Sequence, residues 1–192
     1  MKHFRIIAAL AALACALPAW AGEIDDEVLA APCAGCHGTD GASAGLSMPT
    51  IGGLPREYFI SVMQKFRDGR RASTIMGRIA RGYDDDQLAR LADYFADRPW
   101  RTQQARLNPE LVARGKALHE KHCANCHLAG GLYAEATLPR LGGQWPEYLH
   151  MQLQECKLEN RPVPQPNLMA LRLGSLSDED LQALAHYYAS QH

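Results

Sequence analysis

The sequence has few aromatic residues, no surplus of charge of either sign and no long apolar run. Phe, Trp and Tyr make up 7% of the chain, so a large aromatic core is not expected. The 20 basic and 21 acidic side chains leave a formal net charge of -1, and a nucleic-acid binder would need a clustered basic surplus. The apolar run at residues 6–17 is too short to span a bilayer as a helix. The composition therefore favours a soluble globular protein, with no nucleic acid as partner and no transmembrane segment in its mature form.

The short apolar run belongs to an N-terminal export signal. Lys2 and Arg5 precede the run, and an A-x-A cleavage pattern, Ala19-Trp20-Ala21, ends it. We therefore predict that residues 1–21 form a Sec-type signal peptide that is cleaved, which places the mature protein in the periplasm. An uncleaved membrane anchor and a lipoprotein modified at Cys15 are the alternatives, and the residues before Cys15 match a lipobox poorly.

The rest of the chain consists of two copies of one sequence module. The segment Cys33-Ala34-Gly35-Cys36-His37 recurs 90 positions later as Cys123-Ala124-Asn125-Cys126-His127. Further on the offset becomes 93, because the second copy has three more residues in a proline-rich segment. An internal repeat of this length predicts tandem domains of one fold. We place the first domain at 22–100, a linker at 101–108 and the second domain at 109–192.

Apolar residues at helical spacing, together with capping residues, predict an all-α fold. The expected helices are Pro55–Arg67, Asp85–Asp97, Pro109–Cys123, Pro146–Leu158 and a last one that begins after Ser177. No alternating run of β-branched residues indicates a sheet. Each half has about 80 residues, a size at which the core of a single domain is marginal without an additional staple.

The two Cys-x-x-Cys-His segments carry the chemistry, because this motif is the attachment signature of c-type haem. Two thiols in one helical turn reach both vinyl groups of a porphyrin, and the adjacent histidine reaches the iron. A zinc site would need four protein ligands in each half, and a thioredoxin-like redox pair would need a βαβ context. A disulfide within each Cys-x-x-Cys pair would not explain why a histidine follows the pair in both copies. We predict two covalently bound haem c groups. The attachment residues are Cys33, Cys36, Cys123 and Cys126, and the axial histidines are His37 and His127.

Methionine supplies the expected sixth ligand of each iron. Among the six methionines, only Met76 and Met169 are methionine in both copies. A thioether opposite histidine favours reduced iron and raises its potential. The other mature methionines, Met48, Met63 and Met151, have apolar or small counterparts and are predicted to be core or surface residues. Six-coordinate iron has no open position for a substrate, so we expect one-electron transfer and no catalysis by this chain.

With these motifs the chain resembles the class I cytochromes c, specifically the dihaem cytochrome c4 type, over nearly all of its mature length. The resemblance implies two tandem class I domains, each wrapped around one haem. It implies that the carbonyl groups of Pro49 and Pro139, twelve residues after each haem histidine, orient His37 and His127. It also implies that the halves pack with their haem propionate edges facing.

A narrower resemblance is to the cytochrome subunit of flavocytochrome c sulfide dehydrogenase, which Ser73–Tyr83 and Cys33–Gly41 are similar to. In that family a flavoprotein subunit with FAD oxidises sulfide and passes electrons singly to the dihaem subunit. The resemblance implies that this chain is the electron-accepting subunit, with a cytochrome or an oxidase downstream. A freestanding carrier that donates electrons to a terminal oxidase or reductase, and a haem enzyme with an open coordination position, are the alternatives.

Two features fall outside that assignment. Arginines cluster around Met76, and they either dock an acidic partner, bind propionates or form a solvated face. The members of this cluster are Arg67, Arg70, Arg71, Arg78 and Arg81. Cys156, which aligns with Phe66, either forms a disulfide to a partner, competes with Met169 as a ligand, or is a small buried residue in place of an aromatic. We favour the buried residue.

Overall fold

The computed structural model describes residues 25–158 and 163–192, so the predicted signal peptide lies outside the described residues. The α-helices of the described chain are α1 (Asp26–His37), α2 (Arg56–Arg67), α3 (Met76–Ala80), α4 (Asp85–Ala96), α5 (Pro109–His122), α6 (Leu128–Gly131), α7 (Pro146–Lys157), α8 (Asn167–Gly174) and α9 (Asp178–Ala189). Pairing of extended backbone in this part is limited to an isolated bridge between Glu135 and Leu138. The prediction of an all-α fold is confirmed. No helix within the described ranges is long and apolar enough to cross a membrane.

The last helix of each half begins with a reciprocal side-chain cap. At the start of α4, Asp84 Oδ1 accepts a hydrogen bond from the Gln87 N–H (2.8 Å) and Gln87 Oε1 accepts one from the Asp84 N–H (3.1 Å). Ser177 and Asp180 make the same pair of bonds at the start of α9. Each cap satisfies two backbone donors at or next to the first turn, where intrahelical partners are missing. The acidic residues around position 85 therefore have a structural use in starting α4.

Each half has its own apolar core. In the first half, Leu88, Leu91 and Ala92 of α4 are completely buried against α1 and α2. In the second half, Leu181 and Leu184 of α9 are buried against α5 and α7. Burial of these leucines follows from their spacing of three residues, which puts them on one face of each helix.

The helices α5 and α9 cross in close contact at Gly115. A Cβ atom at Gly115 would lie 2.0 Å from the carbonyl oxygen of Ala183 and 2.7 Å from Cβ of Tyr187. Backbones approach this closely only where one residue has no side chain. The crossing fixes α5, and α5 leads directly into the second Cys-x-x-Cys-His segment.

Substitution of Gly115 by alanine is expected to destabilise the second half by about 3 kcal/mol. Alanine normally stabilises a helix interior by about 1 kcal/mol relative to glycine, but here the added methyl meets backbone that cannot move without separating the two helices. Denaturant unfolding of the holoprotein measures the change. Gly174→Ala is the matched control, because nothing lies within 4 Å of a Cβ added there. Equal stability of the two variants would contradict the crossing.

The two halves are joined by hydrogen bonds between buried groups. Gln144 Oε1 accepts from the Thr50 N–H (2.9 Å), and Gln144 Nε2 donates to the Thr50 carbonyl (3.1 Å). Trp145 Nε1 donates to the carbonyl of Ser43 (3.1 Å). Gln103, from the segment between the halves, donates to Thr50 Oγ1 (2.6 Å). Breaking any of these bonds would leave a buried polar group without a partner, so the interface holds the halves in one relative orientation.

The connecting segment passes two equivalent glycine turns. Gly53 and Gly143 have φ of +75° and +80°, and their N–H groups donate to the carbonyls of Phe95 (2.8 Å) and Tyr188 (3.0 Å). A Cβ at Gly53 would lie 2.8 Å from the backbone nitrogen of Trp100. A side chain at either turn would therefore be strained by the backbone angle, and at Gly53 it would also displace the connecting segment.

Candidate haem sites

The first Cys-x-x-Cys-His segment forms the last turn and a half of α1. Cys33 and Cys36 are three residues apart in this helix and so share a face. Cys33 is half-buried and packs against the first core, while Cys36 is exposed. Burial raises the pKa of the Cys33 thiol. Gly38, with φ of +75°, ends the helix directly after the histidine.

His37 is buried and oriented by the backbone. Its ring Nδ1 lies 2.8 Å from the carbonyl oxygen of Pro49, and a carbonyl can only accept, so Nδ1–H is the donor. Burial lowers the pKa of His37, which favours the neutral imidazole. A neutral ring with its proton on Nδ1 presents the Nε2 lone pair as a metal ligand.

The second segment has a different local conformation. Cys123 caps the end of α5, and His127 precedes the short helix α6. Burial raises the pKa of Cys123 and lowers the pKa of His127. The Nδ1 atom of His127 is buried, and it has no hydrogen-bond partner among the residues that the structure describes. An orienting bond from this histidine to Pro139 therefore stays a prediction.

The two repeated methionines lie on the cores that the cysteines also contact. Met76 is the first residue of α3, and it packs against the first core together with Cys33. Met169, in α8, packs against the second core together with Cys123. Each half thus brings one thiol and one thioether to the same apolar cluster. Their roles as attachment residue and iron ligand remain predictions.

Two further methionines and Cys156 occupy core or surface positions. Met63 is buried in the first core and Met151 is 39% exposed. Cys156 is buried in the second core, and burial raises the pKa of its thiol to about 11. This agrees with the interpretation of Cys156 as a small buried residue.

A buried donor without a partner and an arginine beside it test whether the chain fits a haem. Trp100 Nε1 is buried and has no hydrogen-bond partner within the described part of the chain. Arg98 Nε lies 3.4 Å from Asp40 Oδ1, so Arg98 already has an anion beside it. The guanidinium of Arg140 lies over the Trp100 ring, 5.0 Å from its centroid, and burial lowers the pKa of Arg140. Arg140 is half-buried and its Nε donates to the carbonyl of Gly142 (3.2 Å), which leaves the rest of its charge to be balanced. A buried donor without a partner beside a half-buried cation suits an anion. The propionates of a haem supply carboxylates, so these residues fit the group.

Arg140 and Trp100 were not predicted as site residues, because neither belongs to the pattern that the two copies share. Arg140 occupies the position that Thr50 has in the first copy, and Trp100 lies next to the predicted linker, outside the matched segments. Neither residue has an identical counterpart in the other copy, so the repeat alone does not single them out. An arginine in one copy opposite an uncharged residue in the other marks a place where the two sites differ.

The sequence model of the family described as Cytochrome c matches residues 26–97 and 112–191. Each matched range includes one Cys-x-x-Cys-His segment, one repeated methionine and one apolar core. The chain belongs to the cytochrome c family. As a family member with two such domains, it carries two covalently bound haem c groups and is a dihaem electron carrier.

Known proteins are similar to this chain at both levels that the sequence predicts, the dihaem cytochrome c4 type and the cytochrome subunit of sulfide dehydrogenase. Cytochrome c4 of Pseudomonas aeruginosa is 31% identical over 173 residues, which cover 85% of each chain. The cytochrome subunit of sulfide dehydrogenase of Chlorobaculum tepidum is 44% identical over 71 residues, 37% of this chain and 64% of that one. The structure of reduced cytochrome c4 from Pseudomonas stutzeri matches with a TM-score of 0.77 at 26% identity, covering 88% of this chain and 100% of that one. The prediction of two tandem class I cytochrome c domains is confirmed.

Proposed function

We propose that this cytochrome is the electron-accepting subunit of a flavocytochrome c sulfide dehydrogenase. The observation that carries the proposal is the 44% identity to the sulfide dehydrogenase subunit of Chlorobaculum tepidum. This identity extends over fewer residues than the match to cytochrome c4, but it is higher than the 31% found there. The partner is a flavoprotein subunit with FAD that oxidises sulfide, and the chain itself performs no catalysis.

Each half of the chain supplies its own set of residues to hold one haem. Cys33 and Cys36 would hold one haem, and Cys123 and Cys126 would hold the other, through thioether bonds. His37 and Met76 would bind the iron in the first half, and His127 and Met169 would bind it in the second. Pro49 fixes the ring of His37 through the hydrogen bond described above. The ring of His127 makes no such bond in the described structure, so the equivalent role of Pro139 stays a prediction. The bound haem supplies the one-electron redox couple.

The interface holds the two sites at a fixed separation. Thr50 follows Pro49, and Gln144 lies five residues after Pro139, so the buried pair Thr50–Gln144 connects the segment that orients His37 to the segment that follows Pro139. A rigid connection of this kind would hold the two halves in one arrangement, which favours exchange of single electrons between their haems. The cytochrome acts in the periplasm after removal of residues 1–21.

The proposal is tested by isolating the protein from its native host with a chromosomal affinity tag. We expect a second subunit to co-purify, one flavin for two haems, and haem reduction when sulfide is added. A Cys156→Ala variant should co-purify the same subunit in the same ratio, because Cys156 is buried and is not available for a disulfide to the partner. A tagged cytochrome that always runs alone and free of flavin, in cells grown on sulfide, would contradict the proposal.

A freestanding carrier of the cytochrome c4 type is the second candidate. The match to cytochrome c4 of Pseudomonas aeruginosa favours it, since that match covers 85% of each chain. This candidate predicts that membranes from the host re-oxidise the reduced cytochrome rapidly through a terminal oxidase or reductase, and that no flavoprotein binds. The tagged preparation therefore distinguishes the two.

A further inference from the structure

The core of the second half contains a hydrogen-bonded pair of polar side chains. His119, in α5, is 4% exposed, and Tyr188, in α9, is 2% exposed. The Nδ1 atom of His119 lies 3.1 Å from the hydroxyl oxygen of Tyr188, and the two rings meet edge to face with their centroids 5.5 Å apart. A buried hydroxyl and a buried imidazole each need such a partner, because their hydrogen bonds to water are lost.

The first half has apolar residues at the equivalent positions. The repeat aligns His119 with Leu29 at the offset of 90, and Tyr188 with Phe95 at the offset of 93. Leu29 and Phe95 are both buried in the first core. Two apolar side chains therefore satisfy the packing of this fold at these positions, so packing alone does not explain why the second copy has a polar pair.

Tyr188 lies between two residues that are proposed to hold the second haem. Its hydroxyl is within hydrogen-bonding reach of the Cys123 thiol, and Cys123 packs against the core to which Tyr188 belongs. The centroid of the Tyr188 ring lies 6.4 Å from the centroid of the His127 ring. Because Cys123 is the proposed attachment residue and His127 the proposed iron ligand, a dipole on Tyr188 acts on the second haem at short range.

The neighbours of the Tyr188 hydroxyl determine where its proton points. A haem-bound Cys123 sulfur is a thioether, which accepts hydrogen bonds only weakly, whereas the unprotonated nitrogen of a neutral imidazole is a good acceptor. Burial lowers the pKa of His119 and raises the pKa of Tyr188, which favours the neutral form of both groups. The hydroxyl therefore donates to Nδ1 of His119, and its oxygen, the negative end of the dipole, faces Cys123.

We propose that His119 and Tyr188 lower the reduction potential of the second haem, with Tyr188 acting on the haem and His119 serving as the positioning residue that orients the hydroxyl. Ferric haem carries one more positive charge than ferrous haem, so a nearby oxygen lone pair stabilises the ferric state. The low dielectric of the surrounding core strengthens this interaction. Hydrogen bonding and burial around a haem are established means by which a protein changes its potential.

The pair biases the distribution of a single electron between the two haems. Leu29 and Phe95 offer no polar group to the ferric state of the first haem, so the stabilisation is confined to the second half. A lower potential of the second haem shifts the equilibrium of an electron shared between the haems toward the first. This inference rests on the proposed attachment of the second haem at Cys123, and it holds whichever protein donates the electrons.

Potentiometric titration of the holoprotein, followed by haem absorbance, tests the proposal with Tyr188→Phe. The variant keeps the ring, loses the hydroxyl and has the residue that the first half has at this position. We expect the potential of the second haem to rise and that of the first to stay in place. The equilibrium constant for moving an electron from the first haem to the second should increase about tenfold, which corresponds to about 59 mV. NMR of partially reduced samples, with the haem methyl signals assigned to each half, shows which haem carries the shift.

Tyr187→Phe is the matched control, because it removes a hydroxyl from the same helix and the same core. The ring of Tyr187 also lies beside His119, with the centroids 5.1 Å apart, but its hydroxyl lies on the side of Gly130, 3.1 Å from a Cβ added there. This variant should keep the equilibrium constant between the haems within about twofold of the wild type.

A double-mutant cycle tests whether His119 acts through Tyr188. His119→Leu removes the acceptor and frees the hydroxyl to turn toward the Cys123 sulfur, so the potential of the second haem should rise at least as far as in Tyr188→Phe. His119→Gln keeps an acceptor oxygen and should bring the potential back toward the wild-type value. In the Tyr188→Phe background, His119→Leu should add no further shift.

Four results would overturn the proposal: unchanged potentials in Tyr188→Phe, a fall in the potential of the second haem, a shift in the first haem instead, or an equal shift in Tyr187→Phe. Intact mass confirms that two haems remain attached in each variant. A haem absent from Cys123 in the wild-type protein would refute the proposed attachment itself, which separates that failure from a failure of the pair to change the potential. If Tyr188→Phe lost a haem, the difference between His119→Leu and His119→Gln would decide the question.

Discussion

Replacing Met76 by histidine is expected to lower the reduction potential of one haem by on the order of 0.2 V, and to leave the other haem unchanged. Thioether sulfur favours the reduced iron, whereas a second imidazole does not give this stabilisation. The effect should be confined to the first half, because Met76 packs only against the first core. A potentiometric titration that follows the haem absorbance measures both one-electron steps.

Two further substitutions make this result interpretable. Met169→His should move the other step, which assigns each potential to one half. Met63→Leu is the matched control, since Met63 is also a methionine of the first core, is 5% exposed, and has no proposed contact with iron. If Met76→His left both potentials and the methionine-to-iron charge-transfer band at their wild-type values, Met76 would not be a ligand.

The repeat allowed most of the helices to be predicted. Leu88 and Leu91, with their counterparts Leu181 and Leu184, mark the same buried face in both copies. The residues Asp84 and Ser177 then determine where α4 and α9 begin, because each forms a reciprocal cap. These are local signals, and they appear in the sequence because capping and amphipathic spacing act within one helix.

The helices that bear the haem motifs were harder to predict. α1 contains Pro32 and buries only Leu29, Ala30 and His37, so it has no continuous apolar stripe. α3 has five residues, too few for a periodic pattern. Both helices are placed by what they pack against rather than by their own sequence, which is why the cysteine motif identified the site while the helix around it was not predicted.

The contacts between the halves are not visible in the repeat at all. Gln144 and Trp145 stand where the first copy has Leu54 and Pro55, and they bind Thr50 and Ser43 of the other half. A repeat records what the copies share, whereas an asymmetric interface depends on residues in which the copies differ. The arginines around Met76 illustrate the same point, because only the structure shows that Arg71 is half-buried and donates to Gln152 of the other half, whereas Arg78 and Arg81 are exposed.

A chain in which Cys123 and Cys126 are both replaced by serine is expected to carry one haem and to lose the cooperative unfolding of its second half. A domain of about 80 residues has a marginal core, and a covalently held haem adds a large apolar surface to it. Cys123 and Met169 lie at the edge of the second core, so loss of the haem would leave that edge without a packing partner. The first half has a separate core and should retain its haem and its reduction potential.

Intact mass and the haem-to-protein ratio measure the first part of this prediction, and thermal unfolding followed by far-UV circular dichroism measures the second. Cys156→Ala is the matched control, because it removes the remaining described thiol of the second half and should leave both haems in place. Two haems in the serine variant would contradict the proposed attachment residues. Loss of both haems would instead show that the first half depends on the second, through the buried bonds between Thr50 and Gln144, and that the two domains do not fold as separate units.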